Sequence, residues 1–205
     1  VTDRFPRRLV VGISGASGVI YGVRALELLS QLGVETHLVL TRAARATLAQ
    51  ETDLSAREVR ELADQVYAEH DMGAAISSGS FPTDGMLVAP CSVKTLSGIA
   101  HAYDDNLLVR AADVTLKERR PLLLMLRETP LHLGHIRLMG QAAEAGATIM
   151  PPVPAFYTRP DSLDVMVTQT VGRALDTMGL SHPATARWTA ASRAREKAEE
   201  KAGSH

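Results

Sequence analysis

Pro121–Leu126 (PLLLML) constrains the fold of this chain more than any other stretch. A strand with almost no polar residue has no face to offer to water, so it belongs inside a sheet covered by helices on both sides. Leu9–Ser14 (LVVGIS), Val34–Leu40 (VETHLVL), Met86–Ala89 (MLVA, ended by Pro90) and Thr148–Met150 read as companion strands. Between them apolar residues recur at helical spacing. The pattern predicts helices over Val19–Leu32, from Thr41 to about Gln50 with Glu51 at or just beyond the end, and from the Ser55/Glu58 capping box to about Glu69. Further helices are expected from Ser92 to about His101, through the basic segment that starts after the Asp104–Asn106 turn, over about Gly134–Ala145, and over Asp161–Met178, which carries Arg173. Strands alternating with helices predict an α/β fold with a doubly wound, mostly parallel sheet and right-handed crossovers.

The chain has 205 residues, 45% of them hydrophobic, which suits one well-buried core. We expect a single domain over residues 1–181 and a polar tail over 182–205, forming a peripheral helix or partly disordered. A net charge of −1 supplies no global basic field, which argues against nucleic acid or an anionic membrane as the main partner. Cys91 is the one cysteine, so neither an internal disulfide nor a site of several thiolates is available, and a reducing cytoplasm fits. No apolar run reaches 18 residues, and VTDRFPRRLVV lacks the features of a secretory signal, so a soluble protein without membrane insertion is expected.

Several short segments carry candidate chemistry. Gly15-Ala16-Ser17-Gly18, after the first strand, would let a ligand approach the backbone, although many α/β folds use such a turn for packing alone. Ser92-Val93-Lys94-Thr95 combines two hydroxyls, helix-start N–H groups and a cation, a set suited to a phosphomonoester. On the basic helix Arg110 and Lys117 are seven residues apart and share a face, with Asp113 four residues before Lys117 and available to orient it. Such charges most often form a solvated face, and their neighbours decide otherwise. Arg127 and Glu128 leave the buried strand side by side, where open α/β sheets bind ligands. Asp71–Asp84, rich in Gly, Ser and Ala, reads as a loop reaching over something. Cys91 reads as a small buried apolar residue rather than a nucleophile, and His132 and His135 lack the third ligand a metal site requires.

Taken together, GISGASGVIYG from Gly12, QETD from Gln50, SSGSF from Ser77, APCSVKTLSGIA from Ala89, DNLLVRAADVTLKERRPLLLMLRETPLHLGH from Asp105 and PPVPAFYTRP from Pro151 resemble the UbiX family of flavin prenyltransferases, within the FMN-binding decarboxylase-like flavoproteins. The resemblance spans about residues 9 to 180. It implies a three-layer Rossmann-like flavoprotein fold and a metal-independent reaction joining the dimethylallyl group of dimethylallyl phosphate to N5 and C6 of reduced FMN, for use by a UbiD-type decarboxylase. Carried over by position, Gly15, Ala16, Ser17, Thr41, Ser92, Val93, Lys94, Thr95 and Arg127 would bind FMN. Lys117, Arg127, Tyr157 and Arg173 would hold the prenyl phosphate, Tyr157 and Arg173 in a site completed by neighbouring subunits of a homo-oligomer, which the resemblance suggests is a dodecamer. Ser17, Glu51, Arg110 and Glu128 would surround the reacting flavin edge. Met72, Ala102 and Leu138 depart from an aromatic residue found in some relatives, a frequent glycine and a frequent asparagine. The alternatives are an FMN-dependent decarboxylase, which would not need the phosphate set, and a non-catalytic FMN-binding subunit of a decarboxylase complex.

Overall fold

A computed structural model of the chain describes residues 7–183 and residue 185. The tail expected over 182–205 therefore lies almost entirely outside the described residues. β1 (Arg8–Ile13) leads through the glycine turn into α1 (Ile20–Gln31), followed by β2 (Glu35–Leu40), α2 (Arg42–Glu51) and α3 (Ala56–Glu61). A short strand β3 (Gln65–Tyr67) precedes β4 (Met86–Cys91), α4 (Val93–Ala100), α5 (Leu107–Lys117) and β5 (Leu122–Leu126). The described chain then runs through α6 (Leu133–Glu144), β6 (Thr148–Ile149) and α7 (Leu163–Thr177). The six strands form one sheet in the order β3-β2-β1-β4-β5-β6, and every pairing is parallel. The direction of strand addition reverses between β1 and β4, which creates a crevice at the carboxyl ends of those strands.

Side-chain alternation sorts the strands into two cores. Leu9, Val11, Ile13, Leu38, Leu87, Leu123 and Met125 face α1, α2, α3 and α7. Val10, Val39, Met86, Val88, Leu122, Leu124 and Leu126 face α4, α5 and α6. Every residue of β5 is buried, as its apolar sequence requires. Gly22 lets α1 lie directly on β4, since a Cβ there would come within 2.3 Å of the Ala89 carbonyl oxygen.

Two expectations are corrected. The helix opened by Ser55 and Glu58 does form its capping box, but it stops at Glu61 and the chain becomes β3 rather than continuing to Glu69. Asp64 ends that helix by turning back to accept from the Thr36 N–H (2.8 Å) and hydroxyl (2.9 Å), which pins the chain beside β2. Pro90 does not end its strand. β4 continues to Cys91, and the Pro90 carbonyl accepts from Ser14 N (3.2 Å) and Ser14 Oγ (2.9 Å), bonds that need no proline N–H. The loop before β4, expected to reach over something, reaches over α5. It lies along α5, with Ala74 and Ile76 buried, and Arg120 donates to the carbonyls of Gly79 and Phe81, each at 2.8 Å.

Candidate functional site

The carboxyl ends of the central strands gather most of the sequence candidates. Gly15–Gly18 follows β1, Thr41 follows β2, Ser92–Thr95 follows β4, and Arg127 and Glu128 follow β5. Gly15 belongs there because a Cβ would meet the Ala43 Cβ at 2.3 Å, so α2 presses against the turn. Gly18 has φ +93°, in the left-handed region that favours glycine. Thr41 caps α2 by accepting from Ala44 N at 3.1 Å. Ser17 is exposed at the turn.

The structure changes what this turn can offer. Glu51, at the end of α2, accepts from the N–H groups of Gly18 (2.8 Å) and Val19 (3.2 Å). These two donors at the entry to α1 are thus already met by a carboxylate of the protein, which would repel an incoming phosphate there. Glu51 instead lies beside Ser17, where it fixes the turn.

At the start of α4 the donors remain open. Ser92 Oγ accepts from Thr95 N (3.2 Å) and donates to Thr95 Oγ1 (3.1 Å), which leaves the Thr95 hydroxyl proton free to donate elsewhere. The N–H groups of Val93 and Lys94, in the first turn, have no acceptor within the helix. Ser14 Oγ, which sequence reasoning missed, accepts from Ser92 N at 2.7 Å and so ties the end of β1 to this cap. A hydroxyl closing a strand of otherwise apolar residues was the available signal. The Lys94 ammonium points to Asp105 Oδ2 at 2.9 Å, which raises its affinity for the proton. A groove of about 940 Å³ opens on the flank of α4, lined by Lys94, Gly98, Tyr103, His132, His135 and Leu138. It does not include Arg127 or Glu128.

Arg127 is half-buried and its N–H donates to the Cys91 carbonyl at 3.0 Å. Tyr21, a second residue missed from sequence, packs its ring where a Gly18 Cβ would stand, 2.9 Å away. Burial pushes its phenol up, and the Arg127 guanidinium opposes that shift, which ties the β5 end electrostatically to the glycine turn. Glu128 is exposed and accepts from the Thr129 N–H at 3.0 Å. Cys91 is fully buried and burial pushes its thiol far up, which disfavours the nucleophilic thiolate. His132 caps α6 through Nδ1, which accepts from Gly134 N at 3.0 Å. Among the described residues no group of three or more His, Cys, Asp or Glu could hold a metal ion.

The remaining candidates lie elsewhere. Lys117 ends α5, and a helix antiparallel to the strands ends at their amino edge, across the sheet from Glu128. Asp113 does not orient it. Lys117 pairs with its neighbour Glu118 (2.5 Å), while Asp113 bonds Arg110 at 3.0 Å, the shorter i, i+3 reach winning over i, i+4. Arg173 is exposed on α7, in the layer that covers the opposite face from α5. Tyr157 is 56% exposed in the turn after β6. One chain therefore does not bring Lys117, Tyr157 and Arg173 together.

An open parallel sheet with a switch-point crevice, and helix-start donors beside it, defines the class: α/β proteins that bind phosphorylated ligands at the strand ends. The family model described as Flavoprotein matches residues 2–162. Flavin prenyltransferase UbiX of Escherichia coli strain K12 is 63% identical over 188 residues, covering 90% of this chain and all of that protein. The crystal structure of AnUbiX (PadA1) in complex with FMN and dimethylallyl pyrophosphate has a TM-score of 0.89 and 49% identity, covering 90% of this chain and 98% of that one. A dodecameric FMN-dependent Ubix-like decarboxylase from Escherichia coli O157:H7 has a TM-score of 0.87 and 48% identity, covering 89% and 99%. The chain belongs to the Flavoprotein family and, within it, to the UbiX-type flavin prenyltransferases.

Proposed function

We propose that this chain joins the dimethylallyl group of dimethylallyl phosphate to N5 and C6 of reduced FMN, making prenylated FMN for a UbiD-type decarboxylase. The observation that carries this reading is 63% identity along the whole length of a flavin prenyltransferase. The phosphate-binding set Lys117, Arg127, Tyr157 and Arg173 favours it over decarboxylation of an unphosphorylated substrate, and intact Ser17, Glu51, Arg110 and Glu128 favour an enzyme over a non-catalytic subunit.

The residues present fit FMN. Its phosphate suits the open first turn of α4, where the N–H groups of Val93 and Lys94 and the free Thr95 hydroxyl proton point outward from the Ser92 cap. The small residues Gly15, Ala16 and Ser17, with Thr41 beside them, leave room for a flat ring against the turn. Bound in its reduced form, the flavin supplies the two nucleophilic atoms that accept the prenyl carbons. The chain supplies the rest. Arg127, with Lys117, Tyr157 and Arg173, receives the departing phosphate, whose negative charge grows as the allylic C–O bond breaks. Glu128 moves the proton, taking the one lost from C6 or passing one to the phosphate, from its place beside Arg127 at the end of β5. Ser17 hydrogen-bonds at the flavin edge, and Glu51 holds the turn that presents it.

Because Lys117, Tyr157 and Arg173 are apart in one chain, we infer that neighbouring copies complete each site. Exposed Leu131, Leu133, Ile136, Val153, Phe156 and Leu163 give such copies apolar surface to bury. A homo-dodecamer matches the related assembly. Residues 1–181 form the single FMN-binding domain. No helix among the described residues is long and apolar enough to cross a membrane. The single, buried cysteine suits the cytoplasm, where we place the protein. Anaerobic incubation with reduced FMN and dimethylallyl phosphate, followed by mass spectrometry of the extracted flavin, tests the activity. A gain of one C5 unit is expected, and unmodified FMN would overturn the reading.

A further inference from the structure

Arg110, in the first turn of α5, is gripped from three separate segments. Its Nη1 donates to Asp104 Oδ2 in the turn after α4 and to Asp113 Oδ2 one turn along α5, both at 3.0 Å. Its Nε donates to the Ser77 carbonyl in the loop along α5 at 3.3 Å. The three side chains are only 23–32% exposed, so water screens the cluster incompletely. Nη2 makes no hydrogen bond to any described residue. Asp104 Oδ1 is buried without a partner.

Two carboxylates against one guanidinium leave the cluster with a net negative charge. That is a poor receptor for a phosphate and contrasts with Lys94, which has one carboxylate partner. It is a good device for aim. An arginine side chain rotates about four bonds, and fixing Nη1 and Nε fixes the guanidinium plane, hence the direction of the Nη2 N–H bonds.

We propose that Asp104 and Asp113 are positioning residues for prenyl transfer: they fix the direction of Arg110 and cancel its charge, so that Arg110 acts through a directed Nη2 hydrogen bond and not as a phosphate-binding cation. This rests on the reading of Arg110 as a site residue of a flavin prenyltransferase. It makes opposite demands on turnover and on anion binding. Releasing one carboxylate lets the guanidinium swing, which lowers the rate, while it adds one positive charge near the crevice, which favours binding of FMN and of the prenyl phosphate.

The test compares wild type with Asp113→Asn, Asp104→Asn and Asp113→Glu, reading FMN affinity by quenching of flavin fluorescence, and kcat and KM for dimethylallyl phosphate. For Asp113→Asn and Asp104→Asn the expected result is kcat lower by about tenfold or more, with KM and the FMN dissociation constant unchanged or lower by up to about fourfold, the range a single charge gives at about 10 Å in a watery site. Asp113→Glu is expected to recover part of kcat. Unchanged kcat in both asparagine variants, or FMN affinity weakened more than about threefold at an unchanged melting temperature, overturns the proposal. The FMN titration stands apart from turnover. If wild type adds no C5 unit to FMN, the functional reading falls, and weakened FMN binding in the asparagine variants would still overturn the charge-cancelling role.

Discussion

At Glu128, just past the most apolar strand of the sheet and next to Arg127, the chain exposes a carboxylate. If Glu128 moves the proton as proposed, and binds nothing, its removal has a distinct signature. Glu128→Gln keeps size and hydrogen bonding but cannot take up the proton. Its kcat is expected to fall by about 10²–10³, the range for general acid–base residues, with FMN affinity within about twofold of wild type. Single-turnover kinetics of C5 addition would check this, and a parallel loss of FMN binding would instead make Glu128 a binding group. Gly15 belongs to the same scale. Adding a methyl group there forces the turn away from Ala43, and Gly15→Ala is expected to cost about 1–3 kcal/mol in urea unfolding and to weaken FMN binding, because Ser17 and Thr41 move with the displaced backbone. Positions of this kind were legible in the sequence because glycine turns, caps and strand ends are local signals. Tyr21 and Ser14 were not, since their roles depend on Arg127 and Ser92, 106 and 78 residues away in sequence.

Among the elements, β3 was hidden because it is three residues long, lies at the sheet edge and follows a genuine helix start. The strand is held by a cluster around the buried His37. His37, 1% exposed in β2, bonds Tyr67 Oη at 2.9 Å and Glu35 Oε1 at 3.1 Å, and meets the edge of Phe81 from the loop along α5. Burial pushes the His37 imidazole down, opposed by Glu35, while Arg8 adds to the depression and Asp64 opposes it. An unfolded histidine takes up its proton near pH 6.5, before the folded one does, so the unfolded state binds more protons in that window. The contribution of His37 to stability is therefore complete above about pH 6.5 and is lost as the pH falls through its lower folded value. Urea unfolding at about pH 7.5 and about pH 5.5 is expected to show lower stability in acid, and His37→Gln should flatten that difference. An unchanged difference in the variant would place the acid sensitivity elsewhere. The loop along α5 was legible as a segment that reaches over something, but only the carbonyls taken by Arg110 and Arg120 reveal what it packs against.

At the scale of the whole molecule, the parallel doubly wound sheet followed directly from the apolar strands and alternating helices, and all the parallel pairings agree. Site assembly could not be read the same way. Lys117 and Arg127 are ten residues apart in sequence yet stand at opposite edges of the sheet, because helix and strand run antiparallel. Arg173 lies in the opposite layer. If Lys117, Arg127, Tyr157 and Arg173 hold the prenyl phosphate as proposed, one chain alone lacks part of the set and neighbouring copies must supply it. Glu128→Gln and Arg173→Ala, each nearly inactive alone, would be co-expressed as mixed oligomers and assayed anaerobically for C5 addition to reduced FMN by mass spectrometry. If one copy supplies Glu128 and another supplies Arg173, random mixing in equal amounts restores about a quarter of wild-type activity, since each residue is intact with even odds at every site. Activity no higher than that of the separate variants would show that a single chain supplies both groups and would contradict a site shared between copies.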